Sequence, residues 1–162
     1  MSKIISVVLF VALMITPLVV TASNAAPDDH RALAGLTTGK VVFDVNISSP
    51  STMLLYLNVV QKTIASLKAQ GVTPDVILAF RGGAVSVMSK NSELNNEEEE
   101  NQLIQRVQEL KKAGAYLETC NVAAEIYAID KEDIFPGLVL VGNTFASLTG
   151  YQNKGYAMIP LY

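Results

Sequence analysis

Beyond residue 40 the apolar positions follow two rhythms. The short unbroken runs "VVFDV" (41–45), "VILAF" (76–80) and "LVLVG" (138–142) have the length and density of strands buried on both faces. Between the first two, Met53, Leu57, Val60, Ile64 and Leu67 recur at spacings of four and three, one stripe along a helix. Ser49 caps that helix, Pro50 suits its first turn, and Gly71 suits its left-handed exit. A second helix, "EEEENQLIQRVQELKKAG", turns Leu103, Val107 and Leu110 inward. Its acids come first and Lys111 and Lys112 last, as the helix dipole favours, and Gly114 stops it. "AYLET" then reads as a third strand, "NVAAEIYAI" as a third helix, "GLVLVG" as a fourth strand, "TFASLTGYQNKG" as a shorter helix and "YAMIPLY" as a last strand. "RGGAVSVMSKNSELNN" reads as a loop with some apolar content. Alternation of this kind demands parallel strands with helices over both faces. The expectation is an α/β domain, three-layer α/β/α, around a five-stranded, mostly parallel sheet. No internal repeat interrupts it.

The start of the chain obeys a different logic. Lys3 precedes a charge-free run from Ile4 to Val20, and the small residues of "TASNAAP" follow. That is the three-part pattern of a secretory signal cut near Ala25/Ala26. Residues 1–25 are therefore expected to be a signal peptide, 26–39 a flexible tether without periodicity, and 40–162 the folded domain. The expected location is the periplasm. The rival reading is an uncleaved N-terminal membrane anchor, for which the run lies at the short limit. Pro17 and the small residues after it favour cleavage, leaving no stable anchor. The chain carries 12 basic and 15 acidic side chains, and loss of Lys3 with the leader makes the remainder more acidic still. Nothing basic clusters, which argues against nucleic acid.

In an open parallel sheet, ligands bind beyond the carboxyl ends of the strands. The element order then gives a residue set: Asn46 and Ser48 after the first strand, Arg81, Gly82 and Gly83 after the second, Cys120 and Asn121 after the third, Asn143 and Thr144 after the fourth. Cys120 is the only cysteine, so neither an internal disulfide nor a Cys-x-x-Cys couple can form. Standing where a strand hands over to a helix, its thiolate would face unpaired amides, which lower a thiol pKa. Arg81 would add positive charge, whereas Glu118, on the same strand face, would oppose it. The sequence leaves that balance open, and a buried, inert cysteine stands beside the reactive one. The functional reading requires the sulfur to lie open to solvent at the rim of the sheet. The Gly82-Gly83 pair fits an anion-binding turn or a plain tight connection. His30 lacks the partners of a metal site, and the glutamates at 97–100 suit a solvated helix start. No metal or organic cofactor is called for, and no Walker loop, Gly-x-Gly-x-x-Gly or serine elbow is present.

"KVVFDVNISSPSTMLLYLNVVQKTI", "VILAFRGGAVSVM", "CNVAAEI" and "NKGYAMIPLY" resemble, in order and spacing, the DsrE/DsrF-like proteins across residues 40–162. The most telling elements are Cys120 to Ala124 and the Gly-Tyr-Ala-Met-Ile-Pro ending. The resemblance implies a small α/β/α domain that assembles into oligomers, here a homo-oligomer, and a sulfur relay in which Cys120 carries a persulfide. Donor and acceptor proteins or small sulfur species would be the partners, which makes the chain a carrier rather than plainly an enzyme. The competing expectation is a non-catalytic module of the same fold that binds a small anion or a protein, with Cys120 inert.

Overall fold

The computed structural model describes residues 27–90 and 92–162; the signal-peptide expectation lies outside them. The elements are α1 (His30–Leu33), β1 (Thr38–Val45), α2 (Pro50–Ala69), β2 (Thr73–Phe80), α3 (Ala84–Val87), α4 (Glu97–Lys112), β3 (Tyr116–Cys120), α5 (Asn121–Ile126), a 3-10 turn (Lys131–Asp133), β4 (Val139–Val141), α6 (Thr144–Asn153) and β5 (Ala157–Leu161). The strands form one all-parallel sheet in the order β4-β3-β2-β1-β5. Within the stretch expected to be a tether, α1 forms a single turn, the Asp29 amide donates to the Gln70 side chain, and Thr38 and Gly39 already belong to β1.

The topology follows from handedness. From β1 to β4 the chain steps across the sheet in one direction, so right-handed crossovers put α2 and α4 on the same face. The connection from β4 returns to the far edge, beside β1, and the same rule sends α6 over the opposite face. The three-layer architecture is the result. Val41, Phe43 and Val45 of β1 and Val76, Leu78 and Phe80 of β2 pack on Met53, Leu57, Val60 and Ile64 of α2 and on Leu103, Val107 and Leu110 of α4. Val42, Ile77 and Ala79, on the other face, pack on Leu148 of α6.

Capping matches the sequence. Ser49 accepts from the Thr52 amide at the start of α2. Asn96 and Glu99 form a reciprocal capping box on α4. Gly71 and Gly114 leave their helices at φ +78° and +100°. Three expectations need correction. Leu67, though on the α2 stripe, is only half-buried, because it lies in the last turn. "LVLVG" is not buried on both faces: β4 has three residues at the edge of the sheet, and Val139 is exposed. The loop after β2 contains α3, whose Ala84, Val85 and Val87 are buried.

Candidate functional site

Cys120 ends β3 and is the residue from which α5 starts, in extended conformation (φ −83°, ψ 117°). In the register it pairs with Val141, so α6 begins beside it, with two residues between β4 and the helix. The Thr144 amide donates to Sγ at 3.4 Å, and the amides of Val122 and Ala123 also support the sulfur. The Thr144 hydroxyl, wholly buried, has two acceptors in reach, Sγ and the Phe80 carbonyl at 3.5 Å. Burial pushes the thiol pKa up. The Thr144 hydroxyl and the three amides more than offset it, and the net displacement is downward. The donors thus come from the strand-to-helix junction at α5 and from the first turn of α6.

The sulfur does not stand open at the rim: Cys120 is only 5% exposed. It is packed with Val85 of α3 and with Ala123 and Ala124 of α5. It nonetheless lines a pocket of about 370 Å³, together with Arg81, Gly82, Val122, Ala123, Ile126, Tyr127, Asn143, Thr144 and Phe145. The entrance is apolar, with Phe145 64% and Ile126 72% exposed.

Arg81 reaches this pocket with its charge already engaged. Its Nε and Nη2 donate to the two carboxylate oxygens of buried Asp44, at 2.5 and 2.9 Å. The pair raises the guanidinium pKa, mainly through that hydrogen bond. The guanidinium also stands 5.4 Å from the Phe145 ring centre and 5.7 Å from that of Tyr162, whose hydroxyl donates to Asp44. Arg81 thus holds a wall of the pocket, and its positive charge is matched by Asp44 rather than offered to the thiolate. The opposing influence is muted too. Glu118 is 1% exposed, and burial raises its pKa more than Ser147 and Tyr151 lower it. Its Oε2 accepts from the Tyr151 hydroxyl at 3.2 Å, and its Oε1 has no hydrogen-bond partner among the described residues within ordinary distance.

The remaining expected residues divide. Gly82 and Asn143 line the pocket; the Asn143 side chain caps α6 by accepting from the Phe145 amide at 2.9 Å. Asn46 does not line it but packs against Gly82 where a Cβ would stand, and Ser48 does the same at Gly83. The glycine pair is thus a requirement of close approach, the structural reading, and Gly82 also has φ +53°. Gly83 faces a neighbouring cavity. Asn121 donates to Glu125 at 2.6 Å along α5 instead of lining the pocket. Sequence reasoning did not give a role to Thr144, although its place at the start of a helix after a strand is a signal for one. Asp44 was hidden in an apolar run. Ile126, Tyr127, Phe145 and Tyr162 gave no signal at all. Among the described residues no group of His, Cys, Asp and Glu side chains is gathered in a way that would hold a metal ion.

Comparison with known proteins agrees with the fold. Residues 40–161 match the model of the DsrE/DsrF-like family. Among solved structures, MTH1491 from Methanobacterium thermoautotrophicum, a protein of unknown function, is similar with TM-score 0.62 and 21% identity over 75% of this chain and 98% of that one. The ychN protein from E. coli is similar with TM-score 0.53 and 13% identity over 77% and 100% of the two chains. BT1422 from Bacteroides thetaiotaomicron, also of unknown function, gives TM-score 0.53 and 17% identity over 75% and 94%. At these identities the likeness is one of fold. No curated protein matches the chain at significant similarity.

Proposed function

Because the chain belongs to the DsrE/DsrF-like family, we propose that it is a periplasmic sulfur carrier that accepts, holds and passes on a sulfane sulfur as a persulfide on Cys120. The observation that carries this reading is the sulfur's setting. A thiol with a lowered pKa faces a pocket, and amides and a hydroxyl converge on it from two helix starts. Such an arrangement favours a thiolate nucleophile and equally favours the persulfide anion that replaces it. Loading from thiosulfate is balanced without any redox partner. Sγ attacks the outer sulfur, the Sγ–S bond forms as the S–S bond breaks, and sulfite leaves with the bonding electrons. Unloading is the reverse exchange, with an acceptor thiolate taking the outer sulfur.

Arg81 with Asp44 shapes one wall, Asn143 fixes the start of α6, and the exposed Phe145, Ile126 and Tyr127 offer an apolar rim to a docking donor or acceptor protein. Further large apolar side chains, Tyr116, Val139, Met158 and Ile159, lie exposed on the sheet, which supports self-association into a homo-oligomer. The periplasmic assignment rests on the leader-like sequence at residues 1–25.

The test is intact-mass measurement of the exported protein after exposure to thiosulfate or inorganic polysulfide. A gain of one sulfur atom, confined to Cys120 and abolished in Cys120→Ser, is expected. A folded protein that gains nothing under either reagent refutes the reading and leaves a binding module with an inert cysteine.

A further inference from the structure

A second, larger cavity of about 610 Å³ borders the thiol pocket and has no task in the reading above. Tyr127 lines both, and the consecutive Gly82 and Gly83 face one each. Their chemistry differs. The thiol pocket is walled mostly by apolar groups, whereas the second presents Ser48, Ser86 and Ser89 together with Lys90, Glu93 and Asp133. Its wall is built rather than draped. The Lys90 amide donates to the Asp133 carbonyl at 2.7 Å, and the Phe135 amide to the Met88 carbonyl at 3.1 Å, which ties the segment after α3 to the 3-10 turn. The buried Ser89 hydroxyl donates to the Ser86 carbonyl at 2.8 Å.

We propose that this cavity binds the body of a hydrophilic low-molecular-weight persulfide of amino-acid or short-peptide type, which delivers its outer sulfur to Cys120 in the adjoining pocket. The inference rests on the carrier reading and names the donor class for it. Hydroxyls donate to carboxylates and accept from ammonium groups. Lys90 matches the former and Glu93 the latter, so charges of both signs favour a zwitterion over a simple anion. An apolar ligand would take water from the charged Lys90 and Glu93 side chains and give nothing back. Thiosulfate and polysulfide have no body to fill the space. The volume falls in the range of about 300–1,000 Å³ usual for small-molecule sites. In the transfer, the Cys120 thiolate attacks the outer sulfur of R–S–SH, and the Sγ–S bond forms as the donor's S–S bond breaks. R–S⁻ leaves with the electron pair and takes a proton from water. No oxidant or reductant enters.

The experiment uses S-methylglutathione, which has the peptide body and no transferable sulfur, and inorganic polysulfide as a donor without that body. Calorimetric titration is expected to show saturable S-methylglutathione binding to the wild type and to Cys120→Ser. The binding should weaken at least tenfold in Ser86→Leu and, independently, in the surface variant Lys90→Glu. Polysulfide should load both of these variants within twofold of the wild-type rate, which also shows that they are folded. Absence of saturable binding, or equal binding by both variants, with polysulfide loading intact, overturns the inference and spares the carrier reading. Binding without loading of Cys120 by any donor sinks the carrier reading and the transfer proposed here along with it.

Discussion

At the scale of single residues, Thr144 bears on how Cys120 ionises and Glu118 on how stability varies with pH. Thr144 supplies an amide and a hydroxyl to a sulfur that burial alone would keep protonated. Thr144→Val removes the hydroxyl and keeps the shape. It is expected to move the pH profile of iodoacetamide alkylation toward higher pH and to slow alkylation at neutral pH several-fold; an unchanged profile would show that the amides suffice. Glu118 bears on stability. Its folded-state pKa is raised by burial, so the folded protein holds a proton that the unfolded chain releases in the ordinary glutamate range, near pH 4.3. Above that pH the folded state binds more protons than the unfolded one, and stability falls as pH climbs until the folded carboxyl also ionises. Glu118→Gln abolishes this dependence and can still accept from Tyr151. Its urea midpoint should fall less than that of the wild type between pH 4.5 and neutrality. Parallel curves for the two proteins would contradict the assignment.

At the scale of elements, the glycine pair after β2 exists because the turns after β1 and β2 touch. Gly83→Ala would press a methyl against the Ser48 side chain, at a position with ordinary helical backbone. A loss of about 1–3 kcal/mol is expected, most of it recovered in Gly83→Ala combined with Ser48→Gly. Additive losses in a double-mutant cycle would show that the contact is not the cause. This contact also marks where sequence reading stops. The helices α2 and α4 are legible because amphipathic period and exit residue agree along 16 to 20 residues, with a cap residue at α2 and the order of charges at α4. The helix after β3 was expected to run to Ile129 and ends at Ile126. There Ala128 takes φ +51°, and the Ile129 amide closes on the Ala124 carbonyl, an exit normally signalled by glycine. The strands β4 and β5 showed the converse problem. Their apolar runs look like core, but edge position, which leaves such runs exposed, depends on the order of strands and not on composition. Within the site, Cys120, Gly82 and Asn143 were readable because the carboxyl ends of parallel strands converge. The roles of Asn46 and Arg81 were not, because their partners Gly82 and Asp44 are 36 and 37 positions away in the chain.

At the scale of the whole molecule, one ionic cluster joins what the chain keeps apart. Asp44 comes from β1, Arg81 from the residue after β2, Phe145 from the first turn of α6, and Tyr162 from the residue after β5. The thiol pocket takes Arg81 and Phe145 from this cluster, so its shape requires the sheet to be complete out to its last strand. The energetic stake is on Asp44, which is buried and accepts three hydrogen bonds from Arg81 and Tyr162. Breaking such a pair from one side costs more than removing both partners, because the remaining charge is left buried without compensation. Arg81→Met is therefore expected to lose about 3 kcal/mol in urea unfolding, and Asp44→Leu combined with Arg81→Met to regain most of it. Cys120 alkylation read on the same proteins separates two roles. If Arg81 acts through the wall it builds, the double variant should recover native alkylation along with stability. If it acts through its charge, stability will return and the alkylation profile will not.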